Sequence, residues 1–140
     1  EPLLRHLLFG FDLTHLYLRL DLGASARQSL EQGIRCSVNF TTPADRRLVL
    51  QAGEPGGAVL HQRATNGAWL PMSAVQPRVA AEEILEAAVS FADLGLQAGS
   101  PFAFFVSIQK GGVELERHPT HRPVESFVPE PAFEKLNWKV

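Results

Sequence analysis

The chain has 140 residues, 45% of them apolar and 20% charged, with 13 basic and 15 acidic side chains and a formal net charge of −2. That length fits one domain and is too short for two, and a chain of this size buries roughly 70% of its unfolded surface without disulfide or metal staples. The single Cys36 excludes an intramolecular disulfide, and the near-balance of charge offers no long-range field to nucleic acid or to a membrane surface.

The chain opens Glu1-Pro2-Leu3, and its only methionine is Met72, so we expect a fragment of a longer protein. Leu3 to Phe11 is broken by Arg5, His6 and Gly10, unlike a signal-peptide core, and no run approaches the ~18 apolar residues of a membrane span. A cytoplasmic location is the expectation. Gly10-Phe11-Asp12 is predicted to separate the first two strands. In Leu16-Tyr17-Leu18-Arg19-Leu20-Asp21-Leu22 every even position is Leu and the odd ones are polar or amphipathic, the period of a strand with one wet face. Ile34 to Phe40 repeats the pattern. It sends Cys36 inward with Ile34, Val38 and Phe40, where a thiol is a small hydrophobe rather than a nucleophile.

Shorter strands follow at Leu48-Val49-Leu50 and Val59-Leu60-His61-Gln62, separated by the turn Gly53-Glu54-Pro55-Gly56-Gly57. Trp69 ends the polar stretch Thr65-Asn66-Gly67-Ala68, a place where an indole either packs under a loop or meets a ligand. Ala80 to Phe91 is ambiguous. Its Ala and Glu content and the spacing of Ile84, Leu85, Ala88 and Phe91 favour a helix narrowly, while Leu85, Ala87, Val89 and Phe91 also alternate as in a strand. Phe102 to Ile108 is apolar on both faces and reads as a central strand. Lys110-Gly111-Gly112-Val113 is a hairpin turn, and Glu114 and Glu116 follow on one strand face. Four prolines between Pro119 and Pro131 predict an extended tail along the surface.

Chemistry-bearing sets are scarce. His118 and His121 are three apart, but Pro119 and Pro123 argue for an extended segment on which the rings diverge, and no partner completes a zinc set. Glu82, Glu83 and Glu86 have the composition of paired carboxylates for glycoside cleavage, yet such clusters usually form a solvated face. No nucleophile elbow, P-loop or dinucleotide fingerprint is present. Aromatics with polar neighbours remain. An exposed ring stacks on the apolar face of a pyranose while guanidinium and carboxylate groups read its hydroxyls, and Tyr17, Arg19 and Asp21 share the polar face of one strand. Trp69 and Trp138 are the two indoles; the alternative is that Trp69 caps the core and Trp138 pins the tail.

Phe9-Gly10-Phe11-Asp12, then Leu16-Tyr17-Leu18-Arg19-Leu20-Asp21, then Leu85-Glu86-Ala87-Ala88-Val89-Ser90-Phe91-Ala92-Asp93-Leu94-Gly95 resemble, in order, the signatures of DOMON-like sandwiches. That group includes the family 9 carbohydrate-binding modules and the C-terminal domain of glucodextranase. Glu116-Arg117-His118-Pro119, Arg122-Pro123-Val124 and Phe133 to Val140 are similar to the C-terminal end of α-amylase-like enzymes of glycoside hydrolase family 57. The resemblance implies an all-β, antiparallel two-sheet sandwich of immunoglobulin or jelly-roll type over residues 1–140, with at most a short helical turn near 92–96. It implies that Glu83 to Phe91 is a strand. It also implies a non-catalytic accessory domain that binds α-glucan weakly through Trp69, Tyr17, Arg19 and Trp138, or that buttresses the catalytic domain of its parent chain. The rival is a structural interaction domain that never touches sugar. No cofactor is expected and calcium is not indicated; haem-binding members of the group use a Met and a His, but Met72 follows Pro71 without a matching motif.

Overall fold

Leu16, Leu18 and Leu20 are sealed from water while Tyr17 and Arg19 stay exposed, so the alternation in the sequence becomes a half-buried strand. The computed structural model describes residues 2–52, 57–75 and 77–131. Eleven strands and one short helix occur among them: β1 (His6–Phe11), β2 (His15–Asp21), α1 (Ala26–Glu31), β3 (Ile34–Thr42), β4 (Arg46–Leu50), β5 (Ala58–Arg63), β6 (Trp69–Pro71), β7 (Arg78–Ala81), β8 (Leu85–Ser90), β9 (Pro101–Lys110), β10 (Val113–His118) and β11 (Val124–Phe127). They build two antiparallel sheets. Sheet A has the order β1-β2-β8-β7, and sheet B the order β10-β9-β3-β4-β5-β6, with β11 on β9.

The sheets meet in a shared core, which makes the molecule a β-sandwich. Sheet A contributes Leu16, Leu18, Leu20, Leu85 and Val89, and sheet B contributes Val38, Leu48, Leu50, Phe104 and Ile108, all at 1% exposure or less. Phe104 joins the layers through an edge contact, its ring centroid 5.7 Å from that of Phe9 in β1, and packs at a tilt on Phe40 of its own sheet at 5.9 Å. Cys36 lies in this core, where burial pushes its thiol up to about 12.

The ambiguous segment is β8, a strand, followed by turns over 91–95. Cross-strand packing overrides its helical propensity, because Leu85, Ala87 and Val89 pair with Leu20, Leu18 and Leu16 on the core side. Three expectations are corrected. Gly10 and Phe11 belong to β1 rather than to the turn, which Asp12 to Thr14 makes instead. The helix lies at Ala26–Glu31, not near 92–96; the Ser25 hydroxyl caps it from 3.3 Å and Ala26 and Leu30 fill the core end. A β-bulge at Leu115 splits Glu114 from Glu116: Glu114 faces outward, while Glu116 turns in to receive the Leu4 amide at 3.1 Å and His118 at 2.8 Å. The proline-rich tail is extended over its described part, as expected: it contributes β11 and buries Val128. No helix among the described residues is long and apolar enough to cross a membrane.

Candidate functional site

The outer face of sheet A is set by pairing registers. One cross-strand row runs Gly10, Tyr17, Ala88, Arg78 and the next runs Leu8, Arg19, Glu86, Ala80. These side chains project away from the core because their neighbours in each strand project into it. Tyr17, Arg19, Arg78, Ala80, Glu86 and Ala88 of these rows line a shallow concavity of about 720 Å³. Small residues form its floor, since Ala88 and Ala80 leave the space that larger side chains would fill.

Tyr17 stands at one side of this hollow and is held there. Its hydroxyl donates to Asp12 Oδ2 at 2.8 Å, and its ring stacks on His15 at 5.9 Å between centroids and 27° between planes. Asp12 is itself fixed, because Oδ1 receives the backbone amides of Thr14 at 2.9 Å and His15 at 2.8 Å. Those bonds stabilise the carboxylate, the Thr14 amide above all, and hold Asp12 far below the usual carboxylate range against a partial loss of solvation. The bond to Asp12, with the carboxylate's charge behind it, raises the Tyr17 phenol above its ordinary value, and Arg78 opposes that rise. The tyrosine therefore stays neutral, with its ring fixed. Beside it Gly10 leaves open space, since a Cβ added there meets nothing within 4 Å. Across the hollow Arg19 Nε lies 3.3 Å from Glu86 Oε2, both side chains about half exposed.

Comparison with known proteins returns no matching family model, no matching curated protein and no matching solved structure. What the domain does is therefore read from the side chains themselves.

Of the sequence-predicted residues, the structure brings Tyr17 and Arg19 together on sheet A and puts Trp69 on the outer face of sheet B. Trp138 lies outside the described residues. Trp69 opens β6 rather than ending a loop, and its ring carries the Arg47 guanidinium at 4.1 Å and that of Arg63 at 5.7 Å. Arg47 thus takes up stacking surface that a pyranose would need. Asp21 closes on His6 at 3.3 Å and on the Gly23 amide at 2.9 Å, at the end of β2. Two of the three carboxylates read as an acid/base set are engaged with cations instead, Glu82 near Arg27 at 3.7 Å and Glu86 with Arg19. Among the described residues no group of three or more His, Cys, Asp or Glu side chains is placed to hold a metal ion, and Met72 packs against the core.

Sequence reasoning took Gly10 and Asp12 for a turn and a family motif rather than for site residues, and passed over Arg78. Asp12 was accessible, because Asp followed two residues later by Thr is the composition of an Asx turn. Arg78 was not, since only the β7–β8 register brings it into the Tyr17 row. The site brings together a fixed aromatic ring, two guanidinium groups, one carboxylate and an open floor, that is, stacking surface with hydrogen-bond donors and an acceptor around it.

Proposed function

We propose that this domain is a non-catalytic carbohydrate-binding module, which lays an α-glucan in the hollow on the outer face of sheet A. The observation that carries the reading is the immobilised Tyr17 ring beside the open space at Gly10. A platform fixed by Asp12 and His15 loses little conformational freedom when a pyranose stacks on it, while Arg19, Arg78 and Glu86 stand where sugar hydroxyls need donors and acceptors. One aromatic platform in a shallow, wet hollow gives weak binding, with Kd on the order of 1 mM. The choice of α-glucan, and of a family 57-like glycoside hydrolase as the parent whose catalytic domain this module serves, rests on the sequence resemblance.

The test is a titration with maltoheptaose followed by NMR. Ring resonances of Tyr17 and amide signals of Ala88 and Arg19 are expected to shift, and Tyr17→Ala is expected to weaken binding at least about tenfold, the loss of one stacking contact with its bonds. Gly10→Val fills the adjacent space without touching the core and has the same expected effect. Shifts confined to Trp69 would move the sugar to sheet B; no shift at millimolar sugar would leave the docking role, in which this domain only braces its parent.

A further inference from the structure

The outer face of sheet B carries a hydrogen-bonded stripe whose two ends differ in charge. At one end Arg117 stacks on Phe105 at 4.2 Å and is neutralised by Glu114, with Nε to Oε1 at 3.0 Å and Nη2 to Oε2 at 3.2 Å. The stripe continues through the buried hydroxyls of Ser107 and Ser37, bridged by Gln109, to Asn39. At the other end Arg47 stacks on Trp69 as Arg117 does on Phe105, but its Nε donates to the neutral Asn39 Oδ1 at 2.9 Å, where the first end has a carboxylate. Arg63 adds a second guanidinium over the same indole and Arg35 a third on the same face. Among the described residues none of these three has a carboxylate within ion-pair distance.

Three uncompensated cations crowded on one face repel each other, which is an arrangement that an anion relieves. Burial, and behind it the charges of Arg35 and Arg63, pulls Arg47 below its ordinary value. Among the described residues the Nη groups of Arg47 have no acceptor, on a guanidinium already held by Asn39 and by the indole. That is the pre-organised fork that matches two oxygens of a tetrahedral anion. His61 is paired with Arg47 across β4 and β5, and its Nδ1 is shut off from water with no hydrogen-bond partner meeting the distance and angle limits among the described residues.

We propose that Arg47 and Arg63, stacked over Trp69, together with Arg35 on the same face, form a binding site for a tetrahedral oxyanion, the phosphate or sulfate monoester group of a small ligand. It lies on the opposite side of the sandwich from the Tyr17 hollow and is independent of that reading. The net charge of −2 conceals it, because the compensating carboxylates sit elsewhere.

The experiment titrates the whole chain at low ionic strength with inorganic phosphate, inorganic sulfate, phenyl phosphate and phenyl sulfate, following the Nε–Hε signal of Arg47 and the indole signal of Trp69. Saturable shifts in both signals are expected, and the better-bound ester identifies the source of the anion. Arg63→Gln and Arg35→Gln, exposed positions whose replacement spares the core, are each expected to weaken binding at least about tenfold, the loss of one charge-assisted hydrogen bond. Arg117→Gln, on the same face but paired in the native protein, is expected to leave the affinity within about twofold. Trp69→Phe keeps a platform for Arg47 and is expected to bind; Trp69→Ala is expected to bind more weakly. Equal affinity in all variants, or no shift at Arg47 up to about 20 mM of any of the four anions, overturns the proposal.

Discussion

Asp12 shows how one side chain organises the candidate sugar site. It closes the β1–β2 turn through two backbone amides and then reaches the Tyr17 hydroxyl, so the local turn and the platform share one carboxylate. Tyr17 is the only tyrosine, which makes its titration directly visible in the absorbance spectrum. Asp12→Asn keeps the shape and removes the charge. The phenol is then expected to titrate at lower pH than in the native protein, because the negative neighbour that opposes its ionisation is gone. Sugar affinity is expected to fall with it, as the ring loses its strongest tether. On the acid side, a carboxylate held below its ordinary range contributes stability that is complete above that range and is lost progressively as pH falls from there to the lowered value. The turn is therefore expected to survive at pH values where ordinary carboxylates are already protonated, and an unchanged phenol titration in Asp12→Asn would contradict this account.

At the scale of elements, the β9–β10 hairpin isolates backbone conformation from packing. Gly111 and Gly112 have φ of +60° and +80°, the left-handed pair of a type I′ turn, and a Cβ at either meets nothing within 4 Å. Gly112→Val is thus expected to cost about 1–2 kcal/mol through φ alone, and Gly112→Asn markedly less, as read from urea midpoints. This turn, like the alternation in β2 and β3, was legible because its signal is local: period and turn chemistry are written within ten residues. The helix α1 was not, since six residues are too few to display a helical period, although Ser25 three residues before Gln28 is a capping pattern. The register of β7 on β8 and of β6 on β5 was equally hidden. Those pairings decide that Arg78 joins Tyr17 and that Arg47 meets Trp69, and they depend on contacts between segments that no local pattern specifies. Hence the sequence pointed to Tyr17 and Arg19 as neighbours while leaving Trp69 unplaced on the other sheet.

For the whole molecule, the two candidate sites occupy opposite outer faces of one sandwich, and the layer between them is continuous. Sheet A buries the apolar inner face formed by Leu16, Leu18, Leu20, Leu85 and Val89 against sheet B, and would expose it to water without that layer. Phe104 is the side chain that most directly spans the layers, fully buried and in ring contact with Phe9 on one side and with Phe40 and Phe102 on its own. Its truncation to alanine leaves a cavity bordered by both sheets and is expected to cost about 3–5 kcal/mol. Because both faces rest on that core, a native-state probe at Tyr17 and one at Trp69 are expected to report the same thermal midpoint, and Phe104→Ala is expected to lower both by the same amount. Separate midpoints, with Trp69 released first, would instead make the β5–β6 edge an independent cooperative unit; the oxyanion site would then form and dissolve without disturbing the sugar-binding face.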